Sequence, residues 1–445
     1  MNNKYKHLAV ALSLVSAFFC LFGNTGKFGL LSLLPLFWGG ANLLIPNKLR
    51  VGPGLTMMYL VLSIRYIVYP VVATMSPTFL KGINASYVTR GIILMLLEIL
   101  AIILTVKLYH KKKGTKTDNN EKPIENKRML FPLIGFVILV YCILIMPSVF
   151  ANRHFIFNPS DIQNEVIHGN GVLGQLERWA EFFVILWLFQ VLFRRYQKTQ
   201  SKTVLFLSFI VISIPCLFFS GHSRLSLLMP LVAALFFLYK CYGAKARTYS
   251  IALITGGVFA LLSMSLYKMY GDGHVNQALD LFSAGSLDAY FGGLNNVCHG
   301  LQAYDRFGSM PVMFVVDTFR NAMGISQHFS SALNTTELFN TIIYGVSDIN
   351  DQIVPTVVQG LLYFGKFLWW IPTVIMVLVV CVADNKMLST SDFSIAYLFA
   401  NFPVVVGWAI PGNYTHLASR FFNYLVPILL LIWIRSIVAS AIRRH

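Results

Sequence analysis

The segment Ser220–Arg224, with the sequence Ser-Gly-His-Ser-Arg, joins two apolar stretches and contains residue types that bind anions. Gly221 permits a sharp reversal of the chain, and Ser223 is a favourable N-cap for the helix that follows. A helix N-terminus presents free N–H groups, and Arg224 adds forked donors that match a phosphate. The sequence therefore predicts an anion site at Arg224, with His222 as a neighbouring general base. A turn whose arginine reaches lipid phosphates is the alternative.

Residues 267–366 form the only long stretch of the second half that is not continuously apolar, and they contain further candidates. Arg306 and Arg320 flank an apolar run, so they can hold a phosphate or an acidic sugar, or anchor an interfacial helix. Asp348 and Asp351 could bind a divalent cation, but two carboxylates in a turn-prone stretch are a weak signal for a metal site. Histidines titrate near neutral pH and are candidate general bases, with a polar surface role as the alternative. The candidates are His222, His274, His299 and His328.

Arg65 and Glu98 lie inside two consecutive apolar stretches, at nearly the same predicted depth. Because an isolated charge inside a membrane is costly, we expect an Arg65–Glu98 ion pair that fixes helix packing. The alternative is that Arg65 binds an anion from within a cavity. The predicted substrate-binding residues also include Arg178, Arg420 and Tyr363. Tyr363 is included because aromatic faces suit sugar rings. The alternative for Tyr363 is a place in an interfacial aromatic belt.

Membrane helices must position these residues. The chain has 445 residues, of which 56% are hydrophobic and only 12% charged, against about a quarter charged in soluble domains. Apolar runs of about 20 residues are typical of a polytopic membrane protein, and in lipid they form helices because every backbone group needs an internal partner. The sequence predicts an all-α fold with a single transmembrane domain over residues 1–445 and about twelve spans. The predicted spans are 8–22, 28–45, 54–73, 91–109, 129–149, 179–193, 204–219, 225–239, 250–267, 367–383, 393–410 and 421–440.

The loops between these spans differ in charge. Most of the 35 lysines and arginines fall on alternate loops and at both termini, which places those parts in the cytoplasm. The loop 110–128 lies on this side, and its Lys, Asn and Glu content predicts a disordered linker. The loop 150–178 and a large helical module at 267–366 lie on the outer side. No P-loop or glycine-rich dinucleotide motif occurs, so the reaction is predicted outside, and the net charge of +17 reflects topology and not nucleic-acid binding.

Labelling with an impermeant thiol reagent tests this topology. In a variant without native cysteines, Gly285→Cys should react in intact cells, because residues 267–366 are placed outside. Asp118→Cys should react only after the membrane is permeabilised. If Asp118→Cys reacts in intact cells and Gly285→Cys does not, the assignment of both sides is wrong.

Three features resemble bacterial O-antigen and capsule repeat-unit polymerases of the Wzy type, which are related to O-antigen ligases. The first is about a dozen spans with a large outer loop in the second half. The second is Phe219–Leu225, which is similar to the Phe-Ser-Gly-Ser-Arg segment before an apolar helix in that family. The third is Pro355–Gly365, which ends in Phe-Gly. This chain differs by having His222 where small residues are usual.

The resemblance implies a GT-C-like architecture and a glycosyl transfer on the outer face of the bacterial cytoplasmic membrane. A glycan on undecaprenyl pyrophosphate would pass to a sugar hydroxyl of a new lipid-linked repeat, without a cofactor or a metal. Arginines would stabilise the pyrophosphate leaving group, and a histidine or carboxylate would deprotonate the acceptor. The implied partners are membrane lipids, a flippase and a chain-length regulator, and no nucleic acid. Arg224, Arg306 and Arg320 are the expected catalytic arginines, with His222 beside them.

Two other functions remain open at this point. A ligase-like enzyme would use the same type of donor and another acceptor. A lipid-linked oligosaccharide flippase or other transporter would need a charged central cavity, for which Arg65 and Glu98 are the ionisable residues deepest in the predicted spans. Transporters commonly contain two related halves, and no internal repeat is visible in this chain.

Overall fold

The computed structural model describes residues 3–23, 29–45, 51–76, 80, 83–113, 124, 132–145, 153–155, 171–220, 225–271, 283–329, 332–345 and 352–442. Helices dominate this part of the chain. The helices of the first half are α1 Asn3–Gly23, α2 Leu33–Leu43, α3 Pro53–Ser63, α4 Tyr69–Met75, α5 Ala85–Lys113, α6 Pro132–Ile145, α7 Gly171–Thr199 and α8 Lys202–Leu217. Those of the second half are α9 Leu225–Tyr242, α10 Arg247–Gly271, α11 Ala284–Phe291, α12 Leu294–Phe307, α13 Pro311–Phe319, α14 Thr335–Tyr344, α15 Thr356–Leu368, α16 Ile371–Ser389, α17 Phe393–Ala409, α18 Thr415–Arg420 and α19 Val426–Ile442.

Short segments of other helical types connect several of these elements. Two π-helical segments, Ile64–Val68 and Phe421–Leu425, make α3 continuous with α4 and α18 continuous with α19. Turns of 3-10 helix occupy Gly29–Ser32, Gly243–Ala246 and Ser326–His328. Single π-turns inside longer helices are rare and frequently lie at functional positions, and the first of these segments contains Arg65.

Six helical segments of the described chain are long and apolar enough to cross a membrane, which indicates a multi-pass membrane protein. They are Lys6–Gly23, Pro53–Met75, Ala85–Lys112, Leu228–Phe259, Ile371–Ser389 and Thr415–Ile437. Four shorter apolar helices are Gly29–Leu43, Gly135–Ile145, Lys202–Cys216 and Phe393–Ala409. Each of the twelve predicted spans overlaps a helix. The helical membrane fold is thus confirmed, whereas the count of twelve and the GT-C-like architecture stay predictions.

The chain divides into two compact units. The first comprises residues 1–119, 279–383 and 403–419, and the second comprises residues 120–278, 384–402 and 420–445. The described part of the predicted module therefore splits unevenly, since 267–271 fall in the second unit and 283–366 in the first. The part in the first unit is helical, as expected.

In the first unit, α12 packs on α5, α14 and α15, and α13 packs on α15. These contacts are close because small residues lie between the helices. A Cβ at Gly300 in α12 would collide with Val358 in α15, and a Cβ at Gly407 would collide with the backbone of Gly54. Such close approaches are typical of helices that associate in membranes. The Gly300 contact thus holds α12 close to α15, which also packs on α13.

The ends of these module helices have recognisable local causes. Pro311 opens α13, a position where its missing N–H costs nothing. Asn334 caps α14 and forms a capping box with Glu337. Gly365 interrupts α15 with a φ of 73°, a left-handed conformation that glycine adopts without strain. This glycine closes the Phe-Gly segment on which the family resemblance partly depends.

In the second unit, α7 packs on α6 and α8, and α9 packs on α8 and α10. Rings of Phe189, Phe237 and Phe393 meet at centroid distances between 5.2 and 5.6 Å. Two three-residue strands, β1 Arg153–Phe155 and β2 Phe218–Ser220, pair antiparallel and are an exception to the predicted all-α fold. Their pairing provides hydrogen-bond partners for the backbone groups of the residues that follow the end of α8.

Several predicted features lie wholly or partly outside the described residues. These include Gly221–Arg224, most of the linker 110–128 and most of the loop 150–178. The helix predicted to follow Ser223 does begin at Leu225.

Candidate functional site

A cavity of about 240 Å³ lies in the first unit, where the C-terminal end of α13 meets the N-terminal ends of α14 and α18. Every side chain that lines it is polar or charged, in a chain that is 56% hydrophobic. A concave site with convergent polar groups is the expected form of a ligand site. The lining residues are Asp317, Arg320, Asn321, Asn334, Thr336 and Thr415.

Asp317 is the most buried ionisable group of the cavity, with 2% of its surface exposed. Its Oδ2 atom accepts hydrogen bonds from the hydroxyls of Thr335 and Tyr363. Its Oδ1 atom accepts the backbone N–H of Thr335 at 3.3 Å, and no other donor among the described residues. Burial raises the pKa of the Asp317 carboxyl above its usual value, while these hydrogen bonds oppose the rise. The arrangement leaves Oδ1 with acceptor capacity, so this atom can take a proton from a bound hydroxyl.

Gln359, which is fully buried, fixes the direction of the hydrogen bonds beneath the cavity. Its Oε1 accepts the backbone N–H of Tyr414 at 2.6 Å, and a backbone N–H can only donate. Its Nε2 therefore donates, to Thr335 Oγ1 at 3.0 Å and to Asn413 Oδ1 at 2.9 Å. Because Thr335 Oγ1 accepts from Gln359, its own proton points to Asp317. Gln359 thus holds Thr335 as a donor to the carboxylate.

Asn413 connects this network to the wall of the cavity. Its Oδ1 accepts the hydroxyl of Thr415 at 2.7 Å and the backbone N–H of the same residue at 2.8 Å. Its Nδ2 donates to Thr336 Oγ1 at 3.2 Å. Two lining residues from separate helices are therefore held by one amide.

Arg320 lines the cavity and is held in place by two acceptors. Its guanidinium donates to the Ala332 carbonyl at 2.8 Å and to Glu337 Oε1 at 2.7 Å. The Arg320 and Glu337 side chains are 24% and 22% exposed, so the ion pair is partly screened by solvent. The predicted role of Arg320 in binding a phosphate stays a prediction, and the structure places its charge beside a compensating carboxylate.

The other sequence-predicted residues of the module lie away from this cavity. Arg306 is exposed at the end of α12, with its guanidinium 5.2 Å from the centroid of the Phe307 ring. His299 is partly buried beside Gln302, and burial lowers the pKa of its imidazole. His328 is exposed in the turn Ser326–His328. His222, Arg224, His274, Asp348 and Asp351 lie outside the described residues.

Tyr363 contributes its hydroxyl and not its face. The ring is fully buried and packs edge-on against Phe314 and Tyr414, with centroid distances of 5.5 and 6.3 Å. The face of this ring is covered by its neighbours in the structure, and the predicted substrate-binding role of Tyr363 stays a prediction. Its role in the structure is to hold Asp317.

Arg65 and Glu98 form the predicted ion pair, with Arg65 Nη2 3.1 Å from Glu98 Oε2 and both side chains fully buried. Tyr66 donates to the same carboxylate at 2.8 Å, and Arg65 donates to the Pro411 carbonyl at 3.3 Å. The pair is confirmed and joins the π-helical segment Ile64–Val68 to α5 and to the segment before Asn413. Arg65 is not among the residues that line the cavity. Its predicted anion-binding role stays a prediction.

Arg178 and Arg420 both belong to the second unit. Arg178 is exposed on α7, and Arg420 is partly buried at the end of α18. Beside them, the Trp179 indole donates to the Asn423 carbonyl at 2.9 Å and ties α7 to the π-helical segment. The substrate-binding role of both arginines stays a prediction.

No protein-family model, no curated protein and no solved structure matches this chain. In the described residues no group of three His, Cys, Asp or Glu side chains could hold a metal ion. The resemblance to repeat-unit polymerases therefore depends on the sequence features named above. The geometry around Asp317 is an observation that does not depend on this resemblance.

Proposed function

We propose that this protein is a glycosyltransferase that joins lipid-linked oligosaccharide repeats on the outer face of the bacterial cytoplasmic membrane. The observation that supports it best is a buried carboxylate of raised pKa, Asp317, in a cavity that is lined by polar and charged residue types in a membrane protein. A proton acceptor beside a polar pocket suits activation of a sugar hydroxyl. Membrane helices on the same chain suit a substrate with a lipid anchor.

In the proposed reaction, the hydroxyl of the acceptor sugar lies within hydrogen-bond reach of Asp317 Oδ1. As its oxygen attacks the anomeric carbon of the donor glycan, its proton passes to Oδ1. The bond from that carbon to the phosphate oxygen breaks, and the electron pair leaves with undecaprenyl pyrophosphate. The products are a longer lipid-linked glycan and the free carrier. Cationic or N–H donors must stabilise this leaving group as its charge develops, and the role of Arg224 as such a donor stays a prediction from the sequence.

Reconstitution in liposomes tests this proposal. Purified protein is supplied with an undecaprenyl-pyrophosphate-linked repeat unit from the same host, without nucleotide sugar or ATP. We expect a ladder of longer glycans and one released undecaprenyl pyrophosphate for each bond formed, with protein-free liposomes as the control. Movement of the substrate across the membrane without chain growth would favour a flippase instead. Transfer that needs a second, different acceptor lipid would favour a ligase.

A further inference from the structure

We infer that the cavity at Asp317 takes an uncharged, hydroxyl-rich sugar ring at the end of the acceptor, and not the pyrophosphate of the donor. This inference rests on the proposed function and names the part of the substrate that this site binds. It assigns the acceptor sugar, and not the donor pyrophosphate, to this cavity.

The charges of the cavity disfavour an anion. Among its six lining residues only Asp317 and Arg320 are ionisable, and their charges are opposite. Arg320 is already paired with Glu337 at 2.7 Å, so its charge is balanced before any ligand enters. A pyrophosphate or a uronic acid would meet the Asp317 carboxylate as a like charge, and the described lining residues contain no excess of cations to offset it. An uncharged ligand has neither problem.

The hydrogen-bonding groups of the wall fit hydroxyls. The Thr415 hydroxyl donates to Asn413, so its oxygen can only accept from a ligand in this arrangement. Thr336 Oγ1 accepts from Asn413 Nδ2, so its proton can be donated to a ligand. Asn334 Oδ1 accepts the backbone N–H of Glu337, which leaves its NH₂ group as a donor. The wall thus offers both donors and acceptors, and each sugar hydroxyl can donate and accept.

The volume is sufficient for a sugar ring. The cavity measures about 240 Å³, close to the lower end of small-molecule sites, so a single ring can enter it. With one ring in place, a hydroxyl of that ring reaches Asp317 and the rest of the glycan extends out of the cavity. This is the placement that a terminal acceptor sugar requires.

Protection of a single cysteine from a thiol reagent tests the inference. Asn321 lines the cavity and is exposed, so Asn321→Cys is introduced into a variant without native cysteines. Met323, which is 43% exposed and does not line the cavity, provides the matched control Met323→Cys. Labelling rates are measured with uncharged methyl hexosides and methyl N-acetylhexosaminides, with methyl glucuronide and with inorganic pyrophosphate.

At least one uncharged glycoside should slow the labelling of Asn321→Cys by about tenfold at about ten times its dissociation constant, since occupancy sets the protected fraction. It should leave Met323→Cys unchanged, and adding Thr415→Val should abolish the protection. Protection by pyrophosphate or methyl glucuronide would overturn the inference, and so would no protection by any glycoside. Protection by an uncharged glycoside together with no chain growth in liposomes would keep the sugar site and reject the proposed polymerase.

Discussion

Asp317→Asn is expected to slow glycan chain growth by about 10²–10⁴-fold, the usual contribution of a positioned general base. Asn has the same shape as Asp and keeps an oxygen for the Thr335 and Tyr363 donors, but it cannot take up the proton of the acceptor hydroxyl. The measurement is the rate at which lipid-linked repeats lengthen in liposomes, at equal amounts of folded protein. Single lipid-linked repeats should remain unused.

Asp305→Asn provides the matched control for this variant. Asp305 lies in the same module and forms an exposed ion pair with Arg90, 2.7 Å away, but it does not line the cavity. Its loss should leave the rate of chain growth close to that of the wild type. If Asp317→Asn grows chains as fast as Asp305→Asn, Asp317 is not the base.

Arg65→Ala and Glu98→Ala should each lower the free energy of unfolding by about 3–5 kcal/mol, because each leaves one charge buried without its partner. Both side chains are fully buried and 3.1 Å apart, so no solvent can replace the missing group. The double variant should lose less than the sum of the two single losses. The measurement is unfolding of the purified protein in detergent, followed for all three variants.

Arg90→Ala serves as the comparison for an exposed pair and should cost less than about 1 kcal/mol. Losses at Arg65 and Glu98 that simply add up would mean that the two charges do not stabilise one another. That result would favour the alternative role of Arg65, which is to bind an anion.

Features that depend on local sequence could be predicted. Apolar runs locate the helices, because a backbone in lipid has no partners other than its own. The Arg65–Glu98 pair follows from two charges at matching depth in consecutive apolar runs. Two three-residue strands were missed, since such short segments show no alternation of apolar and polar residues.

The cavity could not be predicted, because its parts are distant in sequence. Tyr363 and Asp317 are 46 residues apart, and Gln359 and Asn413 are 54 residues apart. Periodicity within one helix contains no information about which other helix supplies a partner. One local signal was present: Asp317 and Arg320 are three residues apart, and Gln359 and Tyr363 are four apart, so each pair places polar groups on one face of a largely apolar segment.

The pH dependence of chain growth in liposomes tests the role of Asp317 most directly. A base must be ionised, so the rate should fall as the pH drops through the pKa of Asp317, and burial places this fall above that of an exposed carboxyl. Thr335→Val removes a hydroxyl that favours the ionised form, so the pKa rises and the fall should move to higher pH. Thr335→Ser keeps the hydroxyl and should follow the wild type. If the rate falls at the same pH in the wild type and in Thr335→Val, the assignment of Asp317 as the base is contradicted.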